Sequence, residues 1–107
     1  MYAREVKAFV HRSRVADVIN ALNSAGFRNI TVVDVQGTLK AINDHGERYS
    51  VEIGQKVVQE VKLELVCDNE TRVAEAVQAI RNNAKTGRPS AGWIFITKIQ
   101  SAIEITD

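Results

Sequence analysis

The chain predicts an α+β domain in which one antiparallel sheet of four strands carries two helices on a single face. The first observation behind this is an internal repeat. Residues 4–22, REVKAFVHRSRVADVINAL, are answered by residues 59–80, QEVKLELVCDNETRVAEAVQAI, so that EVK recurs and RVADVINAL pairs with RVAEAVQAI. The second is periodicity, because each copy opens on a period of two and continues on a period of 3.6. The third is a β-branched run after each copy, NITVVDV or WIFITKI. Strand, helix and strand performed twice within 107 residues is the double βαβ plan of the ferredoxin-like arrangement.

In the first copy Val6, Ala8 and Val10 alternate as a half-buried first strand, and Val15, Val18, Ile19 and Leu22 then fall at i, i+3, i+4 and i+7 of a helix. Ser13 is the expected N-cap and Gly26 the expected stop. The second strand is NITVVDV. Residues 38–55, TLKAINDHGERYSVEIGQ, are far longer than an ordinary connection, and a loop of that size is usually functional. Within it NDHGER reads as a turn with Gly46 at the tip and YSVEI as a strand, which together predict a protruding hairpin. In the second copy Val61, Leu63 and Leu65 alternate, Cys67 ends the strand as a buried residue, and Asp68 or Asn69 caps a helix carrying Val73, Ala76, Val77 and Ile80 inward. Gly87 is the expected cap at its end. The last strand is apolar on both faces, so the second face of the sheet needs a cover, and a closed ring of identical chains supplies one. SAIEIT reads as a short fifth strand reaching a neighbour.

Composition sets the outer limits. At 45% hydrophobic and 25% charged residues the 107-residue chain is one globular domain. A formal net charge of +1 gives no electrostatic case for nucleic acid or an anionic membrane. The charges at Arg4, Glu5 and Lys7 interrupt any leader-like apolar run, and no stretch approaches the ~20 apolar residues of a membrane span, so a cytoplasmic protein without membrane insertion is expected. One cysteine, without CxxC or Cys/His neighbours, makes neither an internal disulfide nor a zinc site. His11 and His45 lie in different elements, and Asp44, His45 and Glu47 read as a solvated turn, so no metal is expected. No nucleophile with a base and no paired-carboxylate pocket can be assembled, and an enzyme is not expected.

The densest chemistry lies in residues 85–96, KTGRPSAGWIFI, which hold the chain's one proline, its one tryptophan and two of its six glycines. Backbone N–H groups of the glycine-containing turn from Thr86 to Gly92, beside Lys85 and Arg88, are suited to an anion. The same cations also suit a helix C-terminus, where they complement the dipole. A Walker sequence is absent, and Trp93 reads first as a core or interface anchor.

With the double repeat, TVVDVQG, the long inserted loop, KTGRPSAGWIFI and the final AIEIT all in this order, the whole chain resembles the P-II signalling family. The family's C-terminal signature runs approximately Thr-Gly-Lys, an aliphatic residue, Gly-Asp-Gly-Lys, then Ile-Phe-Val. Thr86, Gly87, Gly92, Ile94 and Phe95 match it, and Arg88 keeps the charge of its first lysine. The resemblance implies a homotrimer that senses an adenine nucleotide in clefts between subunits. It further implies control of a partner, such as a membrane transporter or metabolic enzyme, through the inserted loop, the family's T-loop. Carried over by position, the nucleotide contacts are Thr31, Gly37, Lys56, Val66, Thr86, Gly87, Arg88, Ser90 and Gly92, and the partner would read Asn43, Asp44, His45, Gly46, Glu47, Arg48 and Tyr49.

The departures shape the ligand. Ser90, Ala91, Gly92 and Trp93 stand where the family has Gly-Asp-Gly-Lys, and Glu104 and Thr106 replace two phosphate-facing arginines. Three missing cations remove charge-assisted bonds of roughly 1.5 to 3 kcal/mol each, which favours ADP or AMP over ATP. In the loop, one register puts Tyr49 at the family's modifiable tyrosine and Lys56 at its ligand lysine, whereas counting from Gly37 puts Ile53 and Glu60 there. Neither shows the magnesium-orienting glutamine, and that neighbourhood reads Leu39, Lys40, Ala41, Ile42. Two other readings stand beside this one: a trimer associated with a divalent metal, like the CutA family of the same architecture, and a P-II-like protein that no longer binds nucleotide.

Overall fold

The computed structural model describes residues 1–34 and 60–107. Strand β1 (Arg4–His11) passes through a 3-10 turn (Arg12–Arg14) into helix α1 (Val15–Ser24), followed by β2 (Thr31–Asp34), β3 (Glu60–Cys67), helix α2 (Glu70–Asn83) and β4 (Gly92–Lys98). The strands form one sheet in the order β2-β3-β1-β4 with every neighbouring pair antiparallel. This is the α+β, ferredoxin-like plan that the repeat predicts.

The alternation sets the register. Val6, Ala8 and Val10 of β1 lie opposite Leu65, Leu63 and Val61 of β3, so the inward residues of both repeats meet at the centre of the sheet. Val18 and Leu22 of α1 and Ala76 and Ile80 of α2 close over them, and all of these side chains are buried in one cluster. Burial of each large aliphatic side chain contributes about 1.5–3 kcal/mol.

The helix ends depart in part from expectation. Asn69 is the cap of α2, its side chain accepting from the Arg72 amide at 2.8 Å. Ser13 does not cap α1. It sits inside the 3-10 turn, where the Nδ1 atom of His11 accepts from the Ser13 amide at 3.2 Å, and the position before α1 is Arg14 without a side-chain cap. An imidazole at the end of β1 thus takes an orphan amide of the 3-10 turn, and α1 itself begins without a side-chain cap. Gly26, at φ +92°, does end α1 as expected. Gly87 does not cap α2, which closes at Ala84 with its amide bonded to the Ile80 carbonyl at 2.9 Å; Gly87, at φ +82°, serves the turn beyond.

The second sheet face is open within one chain, and cross-strand partners show how it is divided. One row runs Phe95, Lys7, Glu64, Thr31 and the next Trp93, Phe9, Lys62, Val33, from the β4 edge to the β2 edge. Aromatic residues hold one edge, with Phe9 edge-on to Phe95 and Trp93 stacked on it. Lys62–Glu64 and Lys7–Glu5 ion pairs occupy the middle, at 3.0 and 3.5 Å. The expected fifth strand has no ladder partner within one chain: beyond the Ile99 amide, bonded to the Ala3 carbonyl at 3.0 Å, the chain runs on with Ile103 and Ile105 exposed.

Candidate functional site

The chain enters β4 through a constraint only glycine meets. Gly92 lies directly against the carbonyl of Phe9, at φ +152°, and a Cβ placed there would collide with that oxygen. The turn before it is thereby pinned to the edge of the sheet beside the last turn of α2. Between them lies a cleft of about 680 Å³, within the range of small-ligand sites. Val77 and Ile80 of α2 and Ile94 and Ile96 of β4 supply apolar walls, while Arg81, Lys85 and Arg88 supply charge and Trp93 stands at its margin. Thr86, Gly87 and Gly92 also line it. The Thr86 hydroxyl oxygen is buried without a hydrogen-bond partner among the described residues, which leaves a donor and acceptor available to a bound group.

A second cleft, of about 360 Å³, lies at the other end of the strands, where β3 finishes beside the connection from α1 to β2. Val66 lines it together with Phe27, Arg28, Cys67 and Arg72. Arg72 binds the Ala25 carbonyl at 2.9 Å, pairs with Glu75 at 2.7 Å and lies 3.7 Å over the Phe27 ring, so one guanidinium ties the start of α2 to the end of α1. Cys67 is buried as expected. Burial pushes its thiol up, against the pull of nearby Arg72 and with a smaller push from Asp68.

The expected nucleotide contacts therefore fall in two places. Thr86, Gly87, Arg88 and Gly92 line the β4 cleft, Ser90 is exposed next to it, and Val66 lines the second cleft with Thr31 exposed on the neighbouring strand. Val66 stands level with Thr97 of β4 through Glu5. Gly92 lies five residues further along β4, which separates it from Val66 by roughly 19 Å from strand spacing and rise. A nucleoside monophosphate does not span that distance within one chain. Gly37 and Lys56, and the loop positions Asn43, Asp44, His45, Gly46, Glu47, Arg48 and Tyr49, lie outside the described residues.

Sequence reasoning missed the Arg72 tie and one more contact. Arg12, in the 3-10 turn, donates to both carboxylate oxygens of Asp34 at 2.7 and 2.9 Å, at the end of β2. The Arg12 pKa is raised, chiefly by that hydrogen bond. Neither is legible by periodicity, because both join residues far apart in sequence; the i,i+3 spacing of Arg72 and Glu75 is the one local sign. Among the described residues no group of three or more potential metal ligands occurs, and no helix is long and apolar enough to cross a membrane.

Comparison with known proteins places this arrangement. The family model for nitrogen regulatory protein P-II matches residues 3–107. The chain is 30% identical over 102 residues to nitrogen regulatory protein P-II 1 of Methanothermobacter thermautotrophicus, covering 95% of this chain and 88% of that one. It is 34% identical over 104 residues to nitrogen regulatory protein P-II of Rhizobium meliloti, covering 95% and 90%. Among solved structures, Arabidopsis thaliana PII bound to citrate superposes with a TM-score of 0.70 at 26% identity, over 97% of this chain and 83% of that one. A double βαβ sheet with the signature turn at the mouth of the β4 cleft, matched from end to end, thus makes this chain a member of the P-II family of nitrogen regulatory signalling proteins.

Proposed function

We propose that the protein is a cytoplasmic, trimeric signalling protein that senses an adenine nucleotide, ADP or AMP in preference to ATP, between subunits. Through residues 38–55 it then controls a partner protein such as a membrane transporter or metabolic enzyme. One observation carries the reading: the residues matching the family's nucleotide contacts lie on diagonally opposite corners of the sheet, so only a second copy brings Thr31 and Val66 up to Thr86, Gly87 and Arg88. The open face supports the same assembly. An aromatic edge at β4 and an aliphatic edge at Val33 and Val66, parted by charges, are complementary head to tail, and a repeated head-to-tail contact closes into a ring.

The preference for a smaller nucleotide comes from charge. The β4 cleft offers Arg81, Lys85 and Arg88, enough for one or two phosphates, and the cations expected further along are replaced by Glu104 and Thr106. Ligand state then sets loop state by differential affinity, for which a coupling of about 1–3 kcal/mol suffices.

Calorimetry over ATP, ADP, AMP, cyclic nucleotides and citrate, with light scattering on the same sample, tests the proposal. The expected result is a mass about three times the 11.9 kDa protomer and tightest binding of AMP or ADP. A stable monomer, or tight magnesium-dependent ATP binding, overturns it. Copper or zinc binding without nucleotide binding would support the divalent-metal reading instead.

A further inference from the structure

We propose that Arg72 is the positioning residue of the second cleft: its guanidinium sets the spacing of the two walls between which the base of the nucleotide lies, and so governs affinity for that end of the ligand alone. The spacing follows from the chain's own contacts; its effect on a ligand rests on the nucleotide reading above.

The two clefts suit different parts of a nucleotide. The charged residues lining the β4 cleft are Arg81, Lys85 and Arg88, so a phosphate meets cations only there. The second cleft is lined by both signs, Asp68 with Arg28 and Arg72, together with Phe27, Leu65 and Val66. The Arg72 charge is moreover already paired with Glu75 at 2.7 Å. Apolar and aromatic walls whose charges are balanced favour a flat neutral ring over a phosphate.

Three consecutive residues of the first wall rest on the one guanidinium. The Ala25 carbonyl accepts from Arg72 Nη1 at 2.9 Å. Gly26, at φ +92°, turns the chain beside it so closely that a Cβ there would lie 3.4 Å from Nη2. The Phe27 ring then covers its face, with Cζ 3.7 Å from the ring centre. Pairing of this connection with β3 starts only at Thr31, opposite Glu64. Arg28 and Asn29, which line the cleft before that point, therefore take their place from the three residues just ahead of them.

The second wall is fixed to the same residue. Strand β3 ends at Cys67, and the chain continues through Asp68 to Asn69, whose side chain accepts from the Arg72 amide at 2.8 Å. Arg72 thus holds one wall by its main chain and the other by its side chain. A planar group that donates, pairs and stacks at once is what a guanidinium supplies. Lysine would offer the charge without the plane.

The test titrates AMP and ribose 5-phosphate, which has the phosphate but no base, into the native chain, Arg72→Ala and Arg72→Lys by calorimetry, with light scattering on each sample. AMP is expected to weaken about tenfold in both variants, within the range of coupling between contacting residues, while ribose 5-phosphate is unchanged. An equal loss of both ligands would make Arg72 a general structural support, and full rescue by lysine would make it a charge for the ligand. Either result overturns the positioning role, as does native AMP affinity in Arg72→Ala.

A second arm reads the first wall without ligand. The amides of Gly26 and Phe27 are bonded to the Asn23 and Leu22 carbonyls, both at 3.0 Å. In Arg72→Ala their hydrogen exchange is expected to rise about tenfold relative to that of β1, because the guanidinium no longer opposes local opening. Unchanged exchange at these two amides overturns the inference. Failure of AMP to bind the native chain overturns the nucleotide reading instead, and the exchange then decides whether Arg72 sets the cleft.

Discussion

Gly92 is where sequence, geometry and site meet in one residue. The resemblance to the family signature implies a nucleotide contact there; the structure gives it another duty, because its missing Cβ lets β4 begin against the Phe9 carbonyl. Gly92→Ala is therefore expected to destabilise the fold by about 3 kcal/mol through strain and overpacking, measured by urea unfolding. Gly87→Ala is the comparison. That glycine has the same need for a positive φ but open space around it, so the cost falls to about 1–2 kcal/mol. Equal costs would show that Gly92 has no special contact. Cys67 carries a prediction of the opposite kind. Its thiol pKa is raised in the folded state, so between the ordinary and the raised value the unfolded chain has lost its proton and the folded chain has not. Stability is thus full below the ordinary thiol pKa and falls as pH rises past it. Alkylation at pH 8 is expected to be slow in the native protein and fast in denaturant; rapid native alkylation would refute the burial argument.

At the scale of elements, the legible part of the sequence is the part that repeats. Val6, Ala8 and Val10, and their answers Val61, Leu63 and Leu65, show both strand identity and the face that enters the core, because a slip of one residue would expose them all. The helices are legible for the same reason. Chemistry between distant residues is not. Serine is the stronger local signal for the cap of α1, whereas the folded chain brings the His11 ring to the Ser13 amide. Gly87 has the look of a helix cap because an apolar period ends near it, yet α2 stops earlier at Ala84. The Arg72 tie leaves no periodic trace. It joins the two repeats by one hydrogen bond to Ala25 and one cation–π contact with Phe27, and Arg72→Ala is expected to cost about 1–2 kcal/mol in chemical denaturation. Asn69→Ala, which removes the cap of α2, is expected to cost about 1 kcal/mol. The candidate site is legible as a set of residues but not as a place. The family resemblance groups Thr31, Val66 and Thr86, and the sheet order β2-β3-β1-β4 sends them to opposite corners.

For the whole molecule that separation is the central fact. On the nucleotide reading proposed above, a sheet with aromatic residues on one edge, aliphatic residues on the other and half of the proposed site at each corner is incomplete as a single copy. In that reading, completing it head to tail would bury both edges and join both halves of the site, so that assembly and ligand recognition are one event. Subunit mixing measures this most directly. Val66→Asp spoils one half of the site at an exposed position, and Arg88→Ala spoils the other half. Each variant alone is expected to lose AMP binding; because Val66 also lies on the aliphatic edge, light scattering first establishes that each variant and the mixture are still rings. When the two are unfolded together in equal amounts and refolded, an Arg88→Ala chain supplies an intact Val66 to the intact Arg88 of a neighbouring Val66→Asp chain. About one quarter of the clefts are then whole by random assembly in a closed ring, and calorimetry should recover AMP binding at about that fraction of the native stoichiometry. No recovery in a ring whose parent chain binds AMP would place both halves of the site in one subunit and contradict the account.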